Sequence, residues 1–109
     1  MPWSVETLVE EISVDDNSFI QGIKPNKKLL AYGDSITQGY DALRPSNRYI
    51  ARLADMIGAE ELNKGIGVEF FFPELAKLKD SFVPDYITVA YGTNDWSKKD
   101  KESFKYRCK

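Results

Sequence analysis

The chain contains no histidine, and that absence constrains its chemistry more than any residue it has. A serine or cysteine nucleophile is weak until a neighbouring base takes its proton, and the commonest such base cannot come from within these 109 residues. Cysteine is nearly absent as well. The single Cys108 excludes an intrachain disulfide and any multi-cysteine metal site, so it reads as an ordinary reduced thiol, and no metal or cofactor is expected. No stretch approaches the roughly eighteen apolar residues of a membrane span. Met1-Pro2-Trp3-Ser4-Val5-Glu6 is not a basic region followed by an apolar run, so no export signal is visible and a cytoplasmic location is expected. Nor is there a basic excess: 15 Lys and Arg are interspersed with 17 Asp and Glu, for a net charge of −2. That pattern excludes the basic stripe of a nucleic-acid binder and the polybasic helix that reads a membrane surface.

What the chain does have, 42% hydrophobic and 29% charged residues, suits one small domain, although a chain of this length buries only about 60–65% of its unfolded surface. Residues 1–26 read as a flanking element and linker. Val5, Leu8, Val9 and Ile12 stand at helical spacing before the turn Asp15-Asp16-Asn17-Ser18, which predicts a helix followed by a short strand. The alternative is a hairpin of 10–14 and 18–23 around that turn. Residues 27–109 alternate strand and helix. Leu29 to Tyr32 forms the first strand, and a helix over 47–57 follows, capped by Ser46 and ended by Gly58. A short strand near 60–62 comes next, then a helix over 73–79 with Leu75, Leu78 and Phe82 inward. Tyr86 to Tyr91 reads as a strand covered on both faces, and a charged segment from Asp95 carries Phe104 and Cys108 inward. This alternation predicts an α/β fold with a parallel sheet, right-handed crossovers, and functional groups at the carboxyl ends of the strands.

Three loops meet that description. In Gly33-Asp34-Ser35-Ile36-Thr37 a serine sits at a strand-to-helix turn, where glycine allows the tight turn, Asp34 braces the loop, and Ser35 is either a helix-capping residue or a nucleophile. In Asn63-Lys64-Gly65-Ile66-Gly67, Asn63 fixes the loop through its side chain, and Gly65 and Gly67 supply positive φ. After the third strand, Gly92-Thr93-Asn94-Asp95 offers Asn94 as a side-chain donor and Asp95 as the cap of a following helix. Acyl transfer needs a nucleophile and donors aimed at the developing oxyanion. Ser35, Asn94 and a backbone N–H of Gly67 or Val68 have the required chemistry.

These three blocks, in this order, resemble the SGNH or GDSL hydrolases over residues 27 to 96. The resemblance implies a three-layer α/β/α flavodoxin-like fold with Ser35 as nucleophile and Asn94 as an oxyanion donor. It implies a serine esterase acting on small acyl or carbohydrate esters. Two departures stand beside it. The Asp-x-x-His segment that supplies the acid and base in that family has no counterpart here, so the chain resembles the amino-terminal part of such an enzyme, truncated after the third core strand and weak or inactive alone. The position that usually carries the oxyanion-hole glycine falls on Val68, whose branched side chain restricts the backbone.

A non-catalytic, self-associating α/β module is the competing reading, and a phosphate- or flavin-binding loop at Gly33 to Gly39 is a third, opposed by the carboxylate of Asp34. In the order 2-1-3-4-5 that the resemblance implies, the strand Tyr86 to Tyr91 lacks its outer neighbour. Its open edge predicts a homodimer or larger assembly through Tyr86–Tyr91 or the run Phe70-Phe71-Phe72.

Overall fold

The computed structural model describes residues 8–79, 81–97, 102, 105 and 106. Three parallel strands, β1 (Lys27–Gly33), β2 (Ala59–Gly65) and β3 (Tyr86–Ala90), lie in the order β2-β1-β3. Between β1 and β2 come α1 (Ser35–Gln38), a 3₁₀ turn at Pro45–Asn47 and α2 (Tyr49–Ile57). A second 3₁₀ turn at Pro73–Lys77 precedes β3, and α3 (Thr93–Ser97) follows it. This is an α/β fold with a parallel sheet and flanking helices. The registers Gly33↔Gly65 and Gly33↔Ala90 bring the carboxyl ends of all three strands to one rim.

The packed cluster lies on one face of the sheet, while Leu30 is buried on the other. Leu29 and Ala31 of β1 project onto Ile50 and Ala54 of α2, with Leu53, Ile57 and Ala59 packed around them. Isoleucine and leucine at 50, 53 and 57 give α2 a single apolar stripe, and Gly58 ends it in the left-handed conformation, φ 65°. The helix starts two residues later than the sequence suggests. Pro45 fixes φ for a 3₁₀ turn that takes up Ser46, and Arg48 stands at the N-cap without a side-chain cap bond. Arg48 has other work: Nε donates to the Pro45 carbonyl at 2.9 Å, and the guanidinium pairs with Glu61 of β2.

Four expectations are corrected. Residues 8–25 form neither the helix nor the hairpin strands; they run as an arm whose ordered feature is the turn where Ser18 N–H donates to the Asp15 carbonyl. Phe19 is 82% and Ile23 89% exposed, so no packed surface rewards regular structure there, and a lone short helix or two-stranded hairpin is marginal in water. The helix over 73–79 is a single 3₁₀ turn, and Leu78 is exposed rather than inward. β2 is longer than expected and takes in Asn63 to Gly65, because β1 pairs with it along its whole length. Finally, β3 is not covered on both faces. Ile87 is 58% and Val89 59% exposed, since β3 lies at the sheet edge with no outer neighbour among the described residues. The inward placement of Phe104 and Cys108 concerns positions outside the described residues.

Candidate active site

The first loop is built on contact. A Cβ on Gly33 would collide with Thr37 Oγ1 and lie 2.7 Å from the Ala90 carbonyl oxygen, so glycine stands there because α1 and β3 both press against the end of β1. Asp34, 1% exposed, is the N-cap of α1, its Oδ1 accepting from Ile36 N–H at 3.0 Å. A carboxylate thus already fills the place that a phosphate or flavin loop would need for its anion. Ser35 is the first residue of α1 and half-buried; its carbonyl accepts from Gly39 N–H at 3.0 Å and Tyr40 N–H at 2.9 Å. Among the described residues no group hydrogen-bonds its hydroxyl. The helix it opens is held from behind: Thr37, fully buried, places Oγ1 2.9 Å from the Tyr49 hydroxyl of α2.

The second loop is fastened to the first. Asn63 donates from Nδ2 to the Thr37 carbonyl at 2.7 Å, while its Oδ1 accepts from Gly65 N–H at 2.9 Å. Ile66 N–H adds a bond to the Gly33 carbonyl at 3.0 Å. Gly65 and Gly67 do not supply positive φ, which corrects the expectation for both. A Cβ on Gly65 would strike the Gln38 backbone nitrogen and lie 2.7 Å from the Thr37 carbonyl carbon; on Gly67 it would meet Gln38 Oε1 at 3.0 Å. Close approach of α1 explains the first of these glycines. The left-handed residue is Val68, φ 65°, a conformation in which a β-branched side chain is strained.

The third loop is fastened to the second. Gly92, at φ 129°, turns the chain out of β3, and its carbonyl accepts from Trp96 N–H at 2.8 Å. Asn94, half-buried in α3, donates from Nδ2 to the Glu69 carbonyl at 2.8 Å, one residue beyond Val68. An amide has two N–H groups, and this bond uses one. Asp95 is the third residue of α3 and not the cap of a later helix; it is 2% exposed and its Oδ2 accepts from Phe71 N–H at 3.0 Å. It therefore anchors the segment that leaves the second loop.

Tyr91 was not singled out by the sequence reading and belongs to this rim. Burial raises its phenol above the ordinary tyrosine range, the carboxylates of Glu69 and Asp34 raise it further, and the Gly33 backbone works in the opposite sense. Its ring meets Phe71 edge-on, centroids 5.8 Å apart. The sequence signal was its place, the last residue before the Gly92 turn. Beneath it, on the face of the sheet away from α2, Leu30, Tyr32, Phe71, Phe82, Ile87 and Val89 help line an apolar groove of about 690 Å³. Among the described residues no group of three or more Asp, Glu, His or Cys is placed to hold a metal ion, and no helix is long and apolar enough to cross a membrane.

A profile of the family described as GDSL-like lipase/acylhydrolase matches residues 29–107. Among solved structures, the crystal structure of AlinE4, an SGNH-hydrolase family esterase, is similar with a TM-score of 0.62 at 21% identity, over 82% of this chain and 51% of that one. A point mutant of the same esterase gives the same values. The chain spans about half the length of these solved structures. No curated protein matches it.

Proposed function

The chain belongs to the GDSL-like lipase/acylhydrolase family, and from that premise we propose that its rim is a serine ester hydrolase site in which Ser35 is the nucleophile. The observation that carries the reading is the chain of fastenings from Ser35 outward. Asn63 and Ile66 bind the second loop to the first, and Asn94 binds the third to the second, so the three blocks share one rim. In the proposed reaction the Ser35 hydroxyl attacks the ester carbonyl carbon and the carbonyl oxygen takes up the negative charge. The Ser35 N–H, the second N–H of the Asn94 amide and the N–H of Gly67 or Val68 are its donors. The bond from the carbonyl carbon to the alcohol oxygen then breaks, the alcohol leaving with the proton that Ser35 gives up through solvent, and water attacks the Ser35 ester, its hydroxyl completing the released acid and its proton returning to Ser35 Oγ. Asp34 cannot double as the base, since its carboxylate is buried and engaged with Ile36 N–H. With no histidine and no described group on its hydroxyl, Ser35 in these 109 residues is a weak nucleophile. Small acyl or carbohydrate esters are the substrate class proposed, by likeness to that family.

Hydrolysis of p-nitrophenyl acetate tests this reading, with the Ser35→Ala variant alongside. A fluorophosphonate probe followed by intact-mass spectrometry reports the nucleophile independently of turnover. Slow labelling at Ser35, with a hydrolytic rate above that of Ser35→Ala, is the expected result. Equal background rates together with no adduct would overturn the enzymatic reading. That same bare hydroxyl favours the second reading, a non-catalytic α/β module, which predicts that equality.

A further inference from the structure

We propose that the side chain of Val68 sets the acyl size accepted at the Ser35 rim, admitting acetyl and turning away longer chains. The inference rests on the ester-hydrolase reading above and deepens it. It starts from a valine where the backbone asks for glycine. Residues 66–69 form a tight turn, closed by Glu69 N–H donating to the Ile66 carbonyl at 3.3 Å. Gly67 is not left-handed and Val68 is, at φ 65°. This is the type II arrangement, whose second central position ordinarily takes glycine or asparagine. The chain thus places its glycine one residue ahead of the position that needs it.

A β-branched residue tolerates the left-handed conformation poorly. Strain of this kind persists where the surroundings hold it, and it clusters at functional sites. Burial gives little compensation here, since Val68 is 74% exposed among the described residues. The turn is instead held at both ends. Ile66 N–H is bonded to the carbonyl of Gly33, two residues before Ser35, and the Glu69 carbonyl takes the Asn94 amide. A Cβ on Gly67 would stand 3.0 Å from Gln38 Oε1, so the turn also rests on α1. Val68 therefore occupies the apex of a turn strung between the loop that carries Ser35 and the helix that carries Asn94.

That position decides what the side chain does to a bound ester. In a type II turn the peptide joining the two central residues takes no part in the turn's own hydrogen bond, which leaves the Val68 N–H to donate to the oxyanion. The Cβ of Val68 is separated from that N–H by the α-carbon alone. With the carbonyl oxygen at the donors and the carbonyl carbon at Ser35 Oγ, the valine methyls border the space beside the carbonyl carbon. The alcohol has to depart to solvent, whereas the acyl chain stays through both steps and takes the walled side. An acetyl methyl fits there, and each further methylene competes with the valine for volume.

Acylation of Ser35 tests the proposal, read by intact-mass spectrometry and peptide mapping with p-nitrophenyl acetate and p-nitrophenyl hexanoate, which share a leaving group. In the unaltered chain the acetate should acylate Ser35 faster. Val68→Gly should raise the hexanoate rate and bring the two esters about tenfold closer, the scale that methylenes carry in an apolar pocket. Val68→Asn tolerates the left-handed conformation but keeps a side chain of similar size, so it should retain the acetate preference. Equal rates for the two esters in the unaltered chain, or an unchanged ratio in Val68→Gly, overturn the proposal. So does a Val68→Asn that loses the preference as fully as Val68→Gly, since backbone strain would then be the cause. Absence of Ser35 acylation by both esters in all three proteins would overturn the hydrolase reading itself, and the proposal with it.

Discussion

Replacing Gly65 by alanine adds one methyl group at the point where α1 crosses the end of β2. The new Cβ would collide with the Gln38 backbone nitrogen, lie 2.7 Å from the Thr37 carbonyl carbon and lie 2.9 Å from Gln38 Cα. All three are main-chain atoms, so no side-chain rotation relieves the clash. Either α1 moves off the sheet or β2 bends away from β1. Each movement stretches the Asn63 bonds to Thr37 and Gly65, 2.7 and 2.9 Å long, together with the Ile66 bond to Gly33. Overpacking of this kind typically costs about 1–3 kcal/mol, and partial loosening of these three partly buried hydrogen bonds adds about 1 kcal/mol in all. A total of roughly 3 kcal/mol is expected, which shifts a urea midpoint by about 1–3 M. The comparison is Gly58→Ala, where φ is 65° but a Cβ meets nothing within 4 Å; it carries only the left-handed penalty of about 1–2 kcal/mol. Both are read by circular dichroism in urea at one protein concentration. Labelling of Ser35 by the fluorophosphonate should also slow in Gly65→Ala and not in Gly58→Ala, since only the former displaces α1. A Gly65→Ala midpoint at or above that of Gly58→Ala would refute the close-approach argument.

Val68→Gly should raise stability by about 1 kcal/mol, because relief of the left-handed strain outweighs the added freedom of glycine in the unfolded chain; a lowered melting temperature would contradict it. Asp34→Ala should cost about 1 kcal/mol by removing the cap on Ile36 N–H. Asp34→Asn, which keeps an accepting oxygen, should cost much less, and equal losses in urea would show that the cap is not what matters. Tyr91 has a raised folded-state pKa, so its neutral form favours the native state: that stability is complete below about pH 10, the unfolded value, and is lost as pH rises through the folded value. Tyr91→Phe should flatten the alkaline limb of a stability profile taken from pH 8 upward, and an unchanged slope would refute the assignment.

The parts of this fold that rest on periodicity were readable from the residues. β1, α2 and the Gly58 stop follow from apolar spacing and one left-handed residue, and the three loops follow from β1, β2 and β3 ending on one rim. What escaped was contact between segments distant in the chain. Gly65 looks like any flexible glycine until α1 is seen to lie on it, and Ser46 looks like a cap until Pro45 draws it into a 3₁₀ turn. The arm defeated the reading for a related reason: Leu8, Ile12, Phe19 and Ile23 have the spacing of packed elements but stay exposed among the described residues. Val68 was suspected because its branched side chain restricts the backbone, and what the sequence does not display is that the backbone there turns left-handed. Asn94 was chosen as a donor, and its bond to Glu69 depends on the second loop's path, which the sequence does not display.

The one-sided placement of the packed cluster has a consequence for the order in which this chain assembles. Leu29, Ala31, Ile50 and Ala54 all belong to the stretch from β1 through α2, and β2 follows immediately after Gly58. These contacts span a few tens of residues, so closing them loses little chain entropy. β3 arrives after a further long connection and, among the described strands, pairs with β1 alone, with Ile87 and Val89 still largely open to water. β1, α2 and β2 are therefore expected to form the persistent unit, and β3 to undock by sub-global opening while the rest stays folded. In native-state amide exchange the β3 amides should exchange ahead of those in the centre of β1. The Gly92 to Asn94 loop, carried on β3, would leave the rim each time that strand undocks.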